Sequence, residues 1–297
     1  MQNNAPERYY VPPQSYWPIV AATGIFLMFA GLAMTLTNIQ QQKSVGISSA
    51  VLLVGLLVMA CMFFGWFGSV IKESSQGLYS EQLSRSFRRG MSWFIFSEVM
   101  FFAAFFGVLF YVRMLVVPWL GGEGDKGLSH QLWPDFVAHW PLLTTPNPEQ
   151  YPSPKGVIDP WHIPFLNTLL LVSSSVTLTV SHHALKKGDR KRVQLFLALT
   201  LCLGGTFLGF QISEYIEAYE TYGLMLNTGI YASTFFLLTG FHGAHVTVGS
   251  IILLVVFVRV LKGHFSTDSH FAFEAAAWYW HFVDVVWILL FLMVYVF

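Results

Sequence analysis

The chain has 297 residues, 55% hydrophobic and only 11% charged, with a mean hydropathy of +0.56 and a formal net charge of zero. A soluble domain carries roughly 25% charged residues, so a soluble globular protein is excluded, and the neutral balance gives no electrostatic case for binding nucleic acid. The two cysteines, Cys61 and Cys202, sit inside apolar runs without CxxC spacing; they offer neither a disulfide framework nor a zinc site and are expected only to pack.

The opening, MQNNAPERYYVPPQSYWP, is polar and proline-rich, with no basic run before the first apolar segment. It does not read as a secretory signal; residues 1–15 are expected to form a cytoplasmic tail. Seven apolar segments follow, each long enough for a membrane span of ~20 residues. Two lie near residues 16–36 and 47–71, so 16–71 forms a first pair. A cytoplasmic loop is expected over 72–90. Five more lie near 91–117, 164–184, 193–219, 226–261 and 272–297, giving an all-α bundle over 91–297. The sixth segment is overlong and must tilt or project. Between the third and fourth, residues 118–163 form a long outer loop. It contains HWPLLTTPNPEQYPSPKGVIDPWHIP, too proline-rich for a continuous helix, and predicts an irregular cap. No internal repeat, low-complexity tract or soluble domain is visible.

Seven spans put the termini on opposite faces. With the N-terminus inside, the inner loops and ends hold Arg8, Lys72, Arg85, Arg88, Arg89, Lys186, Lys187, Arg190, Lys191, Arg192, Arg259 and Lys262. The outer set holds only Lys43, Arg113, Lys126 and Lys155. That asymmetry follows the positive-inside rule. The basic run after His182 and His183 reads as an anchor to anionic lipid.

Polar groups at membrane depth are the candidates for chemistry. GMSWFIFSEVMFFAAFFGVLFYV carries one carboxylate, Glu98, among Phe94, Ile95, Phe96, Val99, Phe101 and Phe102. Gln211, Glu214, His242, His245, Glu274, His281 and Asp284 are the others. Such groups cost a few kcal/mol each in lipid and therefore face the protein interior or water. Glu98 must either keep its proton or meet a partner. It reads as a proton relay or as a structural acid bonded to a neighbouring helix or lipid head group. His242 and His245, at i and i+3 in TGFHGAHVTVG, share a helical face. Gly240, Gly243 and Gly249 on the same stretch suggest close helix contact with histidines bonding across it, not a metal site. His281 and Asp284 in WYWHFVDVVW repeat the spacing and read as a packing pair. HExxH, GxSxG, P-loop, GxGxxG and CxxCH signatures are all absent, so no catalytic residues and no metal ligands are assigned.

Six ordered blocks resemble subunit III of the haem–copper (aa3-type) cytochrome c oxidases. They are SYWPIVAATGIF, RRGMSWFIFSEVMFF, PFLNTLLLVSSSVTLTVSHH, FQISEY, YASTFFLLTGFHGAHVTVG and FEAAAWYWHFVDVVWILLF. The resemblance implies a seven-helix membrane subunit, with a two-helix and a five-helix part around a V-shaped cleft filled by phospholipids. It implies no redox centre in this chain, with haems and copper carried by partner subunits I and II. The family supports proton uptake and protects the oxygen-reducing site of subunit I, within a respiratory enzyme that passes electrons from cytochrome c to oxygen and pumps protons. Glu98 matches the family's buried glutamate beside the cleft. Trp66, Glu73, Arg88 and Arg259 are lipid-binding candidates, and Gln211, Glu214, His242, His245, His281 and Asp284 form the expected structural polar network. A bacterial cytoplasmic (inner) membrane is the expected location, ahead of the mitochondrial inner membrane.

The chain departs from the family at Ser175, where a glycine is usual, and at Thr228 and Ala232, where an aspartate and a glycine are usual. Its outer loop around Glu123–Gln150 looks longer. Related quinol oxidase subunits lack the first helix pair, which this chain keeps. Two other classes are weighed. A stand-alone proton or solute transporter predicts repeats and broken helices. A membrane di-iron hydroxylase requires HxxxH and HxxHH clusters, which only His182–His183 and His242–His245 approach.

Overall fold

The computed structural model describes residues 10–267 and 269–297, and all regular structure among them is helical. Seven helices are long and apolar enough to cross a membrane: α1 Trp17–Gln40, α2 Gly46–Ser75, α3 Glu81–Leu120, α4 Ile163–Lys186, α5 Arg190–Glu220, α6 Ile230–Leu261 and α7 Phe271–Val296. The all-α, seven-span polytopic architecture is therefore as expected. Arg8 and the rest of residues 1–9 of the expected tail lie outside the described residues.

Several boundaries differ from the sequence reading, each for a local reason. The loop assigned to 72–90 shrinks to residues 76–80, because α2 continues to Ser75 and α3 begins at Glu81. Ser80 Oγ accepts from Leu83 N at 3.3 Å, and Glu81 pairs with Arg85 one turn on at 2.5 Å, so the polar stretch SEQLSRSFRR is capped and stays helical outside the apolar run. α7 finishes through a wider π-helical turn, Phe291–Val296, and α3 contains one, Val112–Val116, just before its last α-helical turn, Val117–Leu120. α6 starts at Ile230, not 226, because Thr228 closes a tight turn on Met225 and Gly229 adopts φ +102°, ψ 176°, a conformation open essentially only to glycine. α4 and α6 end on Gly188 and Gly263, both at positive φ, as left-handed C-terminal caps.

The chain divides into two compact units, Met1–Phe87 and Arg88–Phe297. In the first, α1 and α2 form a hairpin closed along small residues. Gly24 and Gly31 are the buried positions of α1; Ser48, Gly55 and Met62 are those of α2. This heptad spacing lets backbone approach backbone: a Cβ on Gly55 would stand 2.5 Å from Met28 N, and one on Gly31 would overlap Leu52. Asn38 Nδ2 donates to Ser48 Oγ at 3.3 Å across the connecting turn.

In the second unit, α4, α5, α6 and α7 pack in a ring, α4 against α5 and α7, and α6 against α5 and α7. Trp280, Trp287, Phe207, Phe235, Leu171, Leu197 and Leu253 fill it and are fully buried. α3 lies on α6 and α7 through side chains, among them Phe101 on Phe241, Phe102 on Phe282 and Phe94 on Tyr279. The outer loop 118–163 is folded onto this unit. It buries Phe136, Leu142, Thr145 and Ile158, stacks Arg113 5.9 Å from the Trp140 ring, and bonds Lys155 N to Tyr222 O at 2.8 Å. It is irregular apart from a short 3-10 turn, Gly127–Leu132. Cys61 and Cys202 are free and exposed on their helices.

Candidate functional site

Glu98 has a protein partner. Its Oε2 lies 2.8 Å from His245 Nε2 on α6, with both side chains mostly sheltered at 22% and 15% exposure. Phe102 covers the imidazole from one side, its ring centroid 5.0 Å away, and Phe101 and Tyr279 flank it. The other imidazole nitrogen fixes the proton count. His245 Nδ1 donates to the Phe241 carbonyl at 2.6 Å, one turn back on its own helix. That carbonyl can only accept, so the hydrogen of a neutral ring is committed there. The short contact between Nε2 and Oε2 then contains one further hydrogen, on the carboxyl or on the ring. In either form the pair is neutral overall, which answers the cost of placing a carboxylate in this apolar stretch.

The other sequence-selected residues fall into separate groups. His242, three residues from His245, is fully buried and donates from Nε2 to Val283 O on α7 at 3.2 Å. Glu214 is fully buried; its Oε1 accepts from Gln211 Nε2 at 3.4 Å and from the Tyr295 hydroxyl. His281 Nδ1 bonds to Ser175 Oγ on α4 and lies 3.8 Å from Asp284 Oδ2. Serine and aspartate thus meet the same ring nitrogen, so this is not a nucleophile relay, which needs them on opposite nitrogens. Glu274 pairs with Arg88 of α3 at 3.0 Å. His182 stacks on Phe273, and His183 donates to Thr179 O.

Of the lipid candidates, Arg88 is half exposed beside Glu274, while Arg259 is buried with its guanidinium 4.5 Å from the Phe265 ring. In the first unit Trp66 is exposed, and Glu73 accepts from Tyr79 Oη at 3.0 Å. Among the described residues no group of three or more His, Cys, Asp or Glu side chains is placed to hold a metal ion.

Residues that the sequence reading did not select also hold the bundle. Trp280 Nε1 donates to Ser174 Oγ at 2.9 Å, and Trp287 Nε1 to Thr168 Oγ1 at 3.0 Å, each tying α7 to α4. The Trp280 ring is clamped between Gly204 of α5 and Gly249 of α6; a Cβ there would stand 2.7 Å and 3.0 Å from it. Close approach is thus found at Gly249, with Gly240 in ordinary contact with Tyr215, but Gly243 faces open space. Tryptophan opposite small residues at membrane depth was the available signal.

These features define a seven-span, all-α integral membrane protein whose intramembrane polar groups pair with one another across helices. The family model described as cytochrome c oxidase subunit III matches residues 7–297. The chain is 39% identical over 290 residues to cytochrome c oxidase subunit 3 of Papio hamadryas, covering 97% of this chain and 96% of that one. It is also 39% identical to the same subunit of Dugong dugon and of Bos taurus over 288 residues, with the same coverage. The chain belongs to the cytochrome c oxidase subunit III family. It is a component of an oxidoreductase complex and is not catalytic by itself; the transporter and hydroxylase readings are not favoured.

Proposed function

We propose that this chain supports proton uptake by, and turnover stability of, the catalytic subunit I, and that the Glu98–His245 pair is the residue-level element of that support. The observation that carries the reading is a carboxyl and an imidazole sharing one hydrogen among phenylalanine rings. The pair acts structurally: it ties α3 to α6 and is neutral overall in lipid. The chain docks on subunits I and II, which carry the haems and copper, and binds no cofactor itself. Phospholipids bind this chain, with Trp66, Glu73, Arg88 and Arg259 as the candidate contacting side chains. The N-terminus lies inside and the C-terminus outside a bacterial cytoplasmic membrane; the basic bias of the inner loops supports this orientation.

Two experiments test this. Mild detergent extraction should yield a haem-containing complex, with phospholipid phosphate retained and no stoichiometric metal in the separated chain; a colourless monomer as the main native species overturns the docking. In the assembled complex, Glu98→Gln should lower oxidase activity only in part and hasten its loss during turnover. Complete loss of initial activity with full assembly would show that Glu98 is instead an obligatory proton carrier.

A further inference from the structure

Between α4 and α5, the inner half of the seam is closed by direct hydrogen bonds. Ser181 Oγ donates to Val193 O at 3.0 Å, and the Thr177 and Thr200 hydroxyls meet at 2.8 Å. Buried polar positions recur every seven residues along α4, at Ser181, Ser174 and Asn167. The antiparallel run on α5 sets Val193 beside Ser181 and Thr200 beside Ser174, so Asn167 comes level with Phe207, one turn from Gln211. Thr168, next to Asn167, accepts from Trp287 Nε1 at 3.0 Å. The Trp287 ring lies 6.0 Å from that of Tyr295, which bonds to Glu214.

In this outer half the polar side chains do not complete one another. Asn167 is fully buried, and neither its amide nitrogen nor its amide oxygen has a partner among the described residues. Gln211 Nε2 and the Tyr295 hydroxyl are both directed at Glu214 Oε1, which leaves Glu214 Oε2 and Gln211 Oε1 buried without partners. The count does not depend on where hydrogens are placed. Turning either amide over exchanges a donor for an acceptor at the same two positions. A proton on either oxygen of Glu214 still leaves Oε2 alone, as a donor or as an acceptor.

The chemistry of the occupant follows. Asn167 Nδ2 requires an acceptor, whereas Asn167 Oδ1 and Gln211 Oε1 require donors. A cation cannot accept a hydrogen bond from the Asn167 amide, and an anion cannot donate to the two amide oxygens. Lipid cannot reach side chains of residues no more than 5% exposed. Water both donates and accepts, and a buried water typically makes about three hydrogen bonds to groups of this kind.

We propose that the outer half of the α4–α5 seam binds internal water, held by Asn167, Gln211 Oε1 and Glu214 Oε2, as the counterpart of the direct bonds in the inner half. The inference is independent of the role given to Glu98 and His245.

The test is a structure of the intact purified oxidase complex at a resolution that shows ordered water, with thermal release of this chain measured alongside. Expected are density peaks within hydrogen-bonding distance of Asn167 and of Glu214 Oε2, unchanged when sodium and potassium are replaced by thallium. Asn167→Leu, of similar shape, should remove the peak at that position. It should also lower the temperature at which the complex releases this chain by about 2–4 °C, the shift of one lost buried hydrogen bond. A peak that strengthens with thallium marks a cation, and an Asn167 amide bonded directly to another side chain, or to no density, marks a dry seam; either overturns the proposal. So does a release temperature that Asn167→Leu leaves unchanged or raises, the result expected when an unpartnered amide is replaced by an apolar group of the same shape.

Discussion

Because Glu98 and His245 share one hydrogen, substitutions there separate by what they leave behind. Glu98→Gln retains an amide that can donate to His245 Nε2, so assembly should persist. Glu98→Ala leaves that nitrogen unpaired in an apolar setting, a loss of about 1–3 kcal/mol, and should lower the temperature at which the complex releases this chain. Equal release temperatures for the two variants would show that the pair does not brace α3 against α6. Accessibility distinguishes the carboxyls as well. Hydrophobic carbodiimides attack protonated carboxyls within the bilayer. Glu214 is fully buried and Glu274 is paired with Arg88, whereas Glu98 is partly reachable. Glu98 should therefore be the first site labelled; predominant modification of Glu214 or Glu274, mapped by mass spectrometry, contradicts the geometry. The sequence made Glu98 conspicuous but did not reveal its partner. His242 and His245 are three residues apart and so sit about 60° from each other around the axis. That offset sends one to α7 and the other to α3, a divergence that depends on where the neighbouring helices lie.

At the level of elements, α7 is held by its tryptophans. Trp280 fits only because Gly204 and Gly249 lack side chains. Gly204→Ala forces the ring to shift and should destabilise the bundle by about 1–3 kcal/mol. Gly243→Ala, with nothing within 4 Å, should be neutral or slightly stabilising through helix propensity. Thermal unfolding of the purified complex compares them, and equal shifts would refute the clamp. The spans themselves were legible because each apolar run is long and the bilayer sets its length. Their ends were less so, since SEQLSRSFRR is polar and a hydropathy reading stops where polarity begins, while helix capping continues. Which face a residue occupies was also hidden: Cys61, Cys202 and Gly243 all lie in apolar runs, but each points outward.

For the whole molecule, the outer loop 118–163 is less a flap than a folded cover. Gly229, at the start of α6, lies against it, with Thr145 Cγ2 3.0 Å from the place a Cβ would take. The proline content correctly indicated irregular backbone, but the buried Phe136, Leu142 and Ile158 could not be told from ordinary loop residues, because irregular chain has no period by which to read burial.

The glycine seam of α1 and α2 bears on how the polypeptide is made. A hairpin whose best contacts are internal can leave the translocon and settle in the bilayer before the remaining five spans have been synthesised. Its genetic message is correspondingly separable: two fragments, 1–77 and 78–297, produced from different transcripts in one cell should each insert and together restore respiration by the oxidase. Gly55→Leu in the short fragment should abolish that complementation, since the bulky side chain would drive the two backbones apart. Recovery of oxygen consumption with the Gly55→Leu fragment would show that the seam is dispensable for biogenesis.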